Sequence, residues 1–225
     1  MISPPPPPGG PLANVKVIIS GPYGGLKLDM ASYQSVLLIA GGSGVTFMLG
    51  CIEECLVRKA EAKRRRQCAG HNVNDDDGLV GPSKVECVWV VRDMSTIESM
   101  SATLTYLHTL ATSTNALQLN YHLYLTSPPR PLPAGPPASL PATTTLSPYR
   151  PAISQLVRES LPPPTLPELE EGRGKKTCCS LGGMAVVACG PEGIVTESRN
   201  AVASLGVGDR VRCGGVDFHG ECYAL

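Results

Sequence analysis

Glycines at 41, 42 and 44, with Ser43 between them and Thr46 just beyond, follow the apolar run Val36–Ile39 and precede a helix-compatible segment. An anion-binding crossover needs that order. Glycine lets the backbone bend sharply and approach a phosphate closely, while the free N–H groups of a helix start supply donors and the positive end of a dipole. Gly41, Gly42, Ser43, Gly44, Val45 and Thr46 are therefore the first candidate site. Phe47 stands where a full dinucleotide fingerprint carries its third glycine, so the turn alone fits tight strand–helix packing about as well.

The surrounding elements alternate between strand and helix. Val15–Ser20 is β-branched and reads as a short strand, closed by the turn cluster Gly21-Pro22-Tyr23-Gly24-Gly25. Val36–Ala40 is apolar on both faces, as a strand inside a parallel sheet must be. A helix is expected from Thr46 to about Arg66, with Phe47, Leu49, Ile52 and Leu56 near one face. Gln67–Ser83 reads as a surface loop, and Val85–Val91 as the second strand, ending at Arg92-Asp93. Ser95 or Thr96 is placed to cap a helix to about Ala111 that buries Met100, Leu104, Leu107 and Leu110. Leu117–Thr126 is the third strand. Met184–Ala188 is the fourth, ending in Cys189-Gly190-Pro191-Glu192-Gly193. A helix over Ile194–Leu205 and a terminal strand within Val211–Tyr223 follow. The alternation predicts a doubly wound parallel α/β sheet.

Proline sets the limits of that domain. Most of the 22 prolines fall in Pro4–Pro8, Pro128–Pro151 and Pro162–Pro167. Such stretches lack apolar side chains to offset ordering entropy. Residues 1–14 are expected as a disordered start, 15–25 as the end of a preceding barrel, and 26–225 as the domain, with disordered insertions at 67–83 and 127–182, the second carrying a short helix near Ile153–Ser160. About 140 residues then remain, enough for one α/β core.

The 19 basic and 19 acidic residues cancel, and aromatics are 4%, which argues against a nucleic-acid binder. Nine cysteines without a Cys-x-x-Cys pair argue against a zinc site or disulfide framework and for a reducing compartment. No secretory pattern opens the chain, and the longest apolar stretch, Val36–Ile52, is broken by glycines. The chain as written is expected to be soluble.

Four turns at strand ends now stand in order: Gly21-Pro22-Tyr23-Gly24, the Gly41–Thr46 turn, Val91-Arg92-Asp93 and Cys189-Gly190-Pro191-Glu192, with the tail Phe218-His219-Gly220-Glu221-Cys222-Tyr223. This set resembles the C-terminal NAD(P)H-binding half of fungal ferric reductases and, more distantly, NADPH oxidases and ferredoxin–NADP reductases. The resemblance implies that Gly21, Pro22, Tyr23 and Gly24 leave a flavin barrel and border the dinucleotide. It implies that Gly42, Gly44 and Thr46 hold its pyrophosphate and nicotinamide end, and that Arg92 takes a phosphate. Cys189, Gly190 and Pro191, followed by Glu192, would lie beside nicotinamide C4 and flavin N5. Glu221 and Tyr223 fall where the family has its terminal acid and flavin-facing aromatic, although Ala224 and Leu225 extend beyond. NADPH or NADH is the implied cofactor, with FAD and heme in a longer parent. That parent would sit in a membrane with this domain on the cytosolic side and pass electrons to Fe(III). Its flavin-barrel motif and heme-bearing helices are expected upstream, so this chain resembles a fragment that binds NADPH and turns over poorly.

Plainer readings stand beside these. Cys189 fits a small buried apolar residue, Arg92 a helix cap or salt bridge, Glu221 a surface acid, and Tyr223 a packing residue. Arg58–Arg66 fits a solvated helix end, Asp75–Asp77 a solvated loop, and His219 a structural residue. Two other functions remain open. One is a superoxide-producing oxidase. The other is an interaction module whose Pro4–Pro8 and Pro128–Pro137 dock SH3-like grooves.

Overall fold

The computed structural model describes residues 25–68, 81–113, 117–127, 135–164 and 182–223, with the backbone alone for 65–68. The strands are β1 (Ser35–Gly41), β2 (Lys84–Val91), β3 (Gln118–Leu125), β4 (Thr144–Ser147), β5 (Met184–Gly190) and β6 (Val216–Cys222). The helices are α1 (Val45–Cys68), α2 (Met94–Ser113), α3 (Ile153–Glu159), α4 (Glu192–Ala203) and α5 (Val207–Arg212). All six strands share one sheet in the order β4-β3-β2-β1-β5-β6, and every neighbouring pair is parallel. This is the doubly wound α/β architecture the alternation predicts.

Parallel strands need crossovers, and the crossovers here put helices on both faces. Every residue of β1 and β5 is buried, which is why both read as near-continuous apolar runs. Val36, Leu38 and Ala40 share a core with Met48, Ile52 and Leu56 of α1 and Ile97 and Leu104 of α2. Leu37 and Ile39 point the other way, into a second core with Ile153 and Val157 of α3 and Val195 and Val202 of α4. Each fully buried Leu or Ile contributes about 1.5–3 kcal/mol.

Four expectations need correction. The stretch 127–182 is not unstructured throughout: over 135–164 it supplies edge strand β4 beside the short helix expected near Ile153–Ser160, here α3, and Leu140, Thr144, Ile153 and Val157 are buried. Its prolines flank these elements instead of interrupting them. Pro141 precedes β4, Pro148 follows it, and Pro151 stands just before the N-cap of α3. The buried face of α1 is Met48, Cys51, Ile52, Cys55 and Leu56, while Phe47 and Leu49 are only partly covered. Residues 211–215 finish α5 and turn, so the last strand begins at Val216; Val211, β-branched but 74% exposed, gave a false strand signal. Gln67 and Cys68 continue α1 in place of the expected loop, whose residues 69–80 lie outside the described set, as do 1–24.

Candidate functional site

Between β1 and α1, residues Gly42–Gly44 make a single 3-10 turn. Gly42 sits at φ +54°, a conformation that side chains with a Cβ adopt reluctantly. A Cβ on Gly44 would lie 2.2 Å from the Cys189 carbonyl oxygen, so α1 starts pressed against the end of β5. Two bonds hold the turn. The Trp89 indole N–H, fully buried, donates to the Gly42 carbonyl at 3.0 Å, and the Thr46 hydroxyl donates to the Ser43 carbonyl at 3.0 Å.

The sheet order reverses between β1 and β5, where doubly wound folds open a crevice at the strands' carboxyl ends. A cleft of about 380 Å³ lies there, and its lining includes Gly41, Gly42, Arg92, Arg150, Pro191 and Glu197. Arg92 leaves the end of β2 with its side chain exposed. The cap of α2 falls to Asp93, not to Ser95 or Thr96. Its Oδ1 accepts from the Ser95 hydroxyl at 2.7 Å, the Thr96 N–H at 3.1 Å and the Thr96 hydroxyl at 3.0 Å. Those bonds hold the Asp93 carboxyl below its ordinary range. Arg92 makes no side-chain hydrogen bond or ion pair among the described residues, so its guanidinium is left to the cleft.

A different chemistry gathers past the end of β5. Cys189 is 1% exposed, and strand alternation turns its side chain toward α1. The Tyr223 hydroxyl hydrogen-bonds its sulfur, while the Tyr223 N–H donates to the Gly190 carbonyl at 3.1 Å. Burial pushes the Cys189 thiol up, with Tyr223 opposing, and the net shift is upward. The same bond, helped by burial, pushes the Tyr223 phenol up to about 12. Both groups therefore stay neutral at pH 7. Glu221 Oε1 lies 2.9 Å from His219 Nε2, and the His219 ring stacks on Phe47 with centroids 6.4 Å apart. Phe47, standing in place of a third glycine, thus reaches across to β6.

The structure brings Gly41, Gly42, Arg92 and Pro191 into one cleft. Gly44, Cys189 and Gly190 adjoin it through backbone contacts. Ser43 and Thr46 are exposed at the turn, Val45 is buried in the core, and Glu192 is exposed in the first turn of α4. Glu221 and Tyr223 stand beyond Cys189, on β6 and its end, outside the cleft's lining. Gly21, Pro22, Tyr23 and Gly24 lie outside the described residues. Sequence reasoning missed Arg150 and Glu197. Arg150 is delivered by the connection from β4 to α3, and its only local signal was Tyr149-Arg150-Pro151 just ahead of an apolar cluster.

A glycine turn at the switch point with an exposed arginine beyond the second strand offers the donors that a phosphate-bearing ligand needs. Residues 33–131 match the family described as ferric reductase NAD binding domain. That match runs from β1 to just past β3 and includes the glycine turn and Arg92; Arg150, Cys189, Glu221 and Tyr223 lie beyond it. The chain is similar to the "Probable cell surface ferric reductase kap2" of Aspergillus oryzae, at 39% identity over 61 residues, covering 25% of this chain and 8% of that protein. It is also similar to the "Respiratory burst oxidase homolog protein D" of Arabidopsis thaliana, at 29% identity over 89 residues, covering 40% of this chain and 10% of that protein. The matched segments thus span no more than a tenth of the length of these relatives. The match thus likens residues 33–131, less than half of the chain, to the NAD-binding domain of ferric reductases. Among the described residues no helix is long and apolar enough to cross a membrane.

Proposed function

We propose that this chain is the NAD(P)H-binding part of a flavin-dependent ferric-chelate reductase. One observation carries the reading: the open backbone turn at Gly41 and Gly42 and the guanidinium groups of Arg92 and Arg150, neither of which makes a side-chain hydrogen bond or salt bridge among the described residues, converge on a single cleft at the switch point. The turn offers backbone donors and helix-dipole charge for a pyrophosphate. Arg92 and Arg150, on separate elements, can each bond a phosphate bidentately, which favours NADPH, with its additional phosphate, over NADH.

The residues at the end of β5 suit the other end of the ligand. Cys189, buried, and Tyr223, exposed beside it, are both neutral at pH 7, an uncharged surrounding that suits a dihydronicotinamide ring. In this reading Gly190 and Pro191 set the ring's position, Ser43, Gly44, Val45 and Thr46 hold the bridge between ring and phosphates, and Glu192 borders the turn. Glu221, held by His219, supplies a carboxylate beside the reacting edge. Bound NADPH would supply the hydride, and FAD and heme in a longer membrane-bound parent would carry its electrons on to Fe(III). The protein's task is to fix geometry and keep water out.

A second reading, an oxygen-reducing NADPH oxidase, draws support from the likeness to the plant respiratory burst oxidase. Both share the cofactor cleft, and the acceptor separates them, so reduction of ferric chelate against oxygen by the full-length parent decides. Calorimetric titration of this chain with NADPH tests the common part. Saturable one-to-one binding is expected, and folded protein that binds neither NADPH nor NADH would overturn it.

A further inference from the structure

The cleft contains a charge that phosphate binding does not use. Glu197, in the second turn of α4, lines the same space as Arg92 and Arg150 and is exposed. It pairs with neither arginine, and no other described side chain bonds it. An ionised carboxylate accepts hydrogen bonds and donates none, so it repels a phosphate and seeks a donor. The donors a dinucleotide offers beside its phosphates are ribose hydroxyls. In doubly wound folds a carboxylate near the ribose accepts from the 2′-hydroxyl, whereas an arginine accommodates a 2′-phosphate. This cleft holds both.

Resting on the dinucleotide reading above, we propose that Glu197 is a specificity-determining residue that accepts hydrogen bonds from the adenosine ribose and restrains the preference that Arg92 and Arg150 give to NADPH. With NADH, Glu197 takes the 2′-hydroxyl. With NADPH, the same carboxylate faces the 2′-phosphate and weakens its hold. The pocket is thereby biased less steeply toward NADPH than two arginines alone would make it.

The test titrates the wild-type chain and Glu197→Gln with NADPH and NADH, and with 2′,5′-ADP and 5′-AMP as probes of the adenosine half alone. Glu197→Gln should bind NADPH and 2′,5′-ADP more tightly and NADH and 5′-AMP more weakly. Within each pair the affinity ratio should move by about tenfold in favour of the phosphorylated ligand. The melting temperature should hold, because the side chain is exposed and bonds no described side chain. Ratios that stay fixed in both pairs, with binding intact, would overturn the role of Glu197 alone. Wild-type protein that binds none of the four ligands would overturn the dinucleotide reading beneath it, before any variant is compared.

Discussion

Around Gly42 the molecule gathers exposed charge in Arg92, Arg150 and Glu197, whereas at the end of β5 it covers a thiol and bonds it to a phenol, both protonated at neutral pH. The two regions nearly touch, since Gly44 meets Cys189 through backbone. Their difference follows what each part of a dinucleotide needs. Phosphates carry charge and want donors, while a dihydronicotinamide ring is neutral and wants a dry, uncharged surface. The charged region should therefore respond to salt and to loss of single charges, and the covered region to loss of packing.

The strongest way to break the comparison is to push the two regions apart. Gly44→Val would drive a side chain into the Cys189 carbonyl, so it should cost about 3 kcal/mol in thermal or urea unfolding and abolish dinucleotide binding. A variant as stable as wild type would contradict the close approach. Acid offers a second route. Burial works to raise the Glu86 carboxyl, but bonds from His122, Lys84 and Asn120 outweigh it and hold it at about 2. Its folded value is depressed, so its stabilisation is complete above about pH 4.5 and fades as pH falls toward 2, amounting to roughly 3 kcal/mol at most. His122 also lies 3.0 Å from Thr145 of β4, the strand that leads to Arg150. Glu86→Gln should thus lower stability at pH 7 and flatten its loss between pH 4.5 and 2, read by denaturant titration at each pH. An unchanged slope would remove Glu86 from the account.

Smaller effects sharpen the contrast. Arg92→Ala and Arg150→Ala should each weaken NADPH binding about tenfold or more with little change in melting temperature, and the loss should shrink as salt rises. Equal losses for NADPH and NADH would move both arginines from the 2′-phosphate to the shared pyrophosphate. At the covered end, Cys189 should resist iodoacetamide at pH 7 while the exposed Cys222 is alkylated, as site-resolved mass spectrometry would report. Tyr223→Phe should make little difference to stability, about 1 kcal/mol, and leave NADPH affinity nearly intact. A large loss of affinity would give the phenol a direct part in binding.

Much of the fold was legible because burial on both faces leaves a local mark. β1, β2 and β5 are apolar runs, and the turn after β1 carries its own glycines. α3 was legible as a short helix near Ile153–Ser160, but β4 was hidden because its few apolar residues lie among prolines, and proline composition speaks more loudly than a four-residue strand. β6 was placed early because exposed, β-branched Val211 looks like a strand residue. In the site, Gly41, Gly42 and Arg92 could be found since each sits at the end of a readable strand. Arg150 and Glu197 could not, because their meeting with Arg92 depends on where β4, α3 and α4 pack. The hydrogen bond from Trp89 to Gly42 has the same character: the indole was visible in its strand, and its partner came from the neighbouring one.

The most direct test is hydrogen exchange across the intact chain with and without saturating NADPH. Protection at 41–46, around Arg92 and Arg150, and at 189–194, appearing together over one concentration range, is the predicted result. Saturable binding that protects none of these segments, or protects only one of them, would contradict a single cleft that holds the whole dinucleotide.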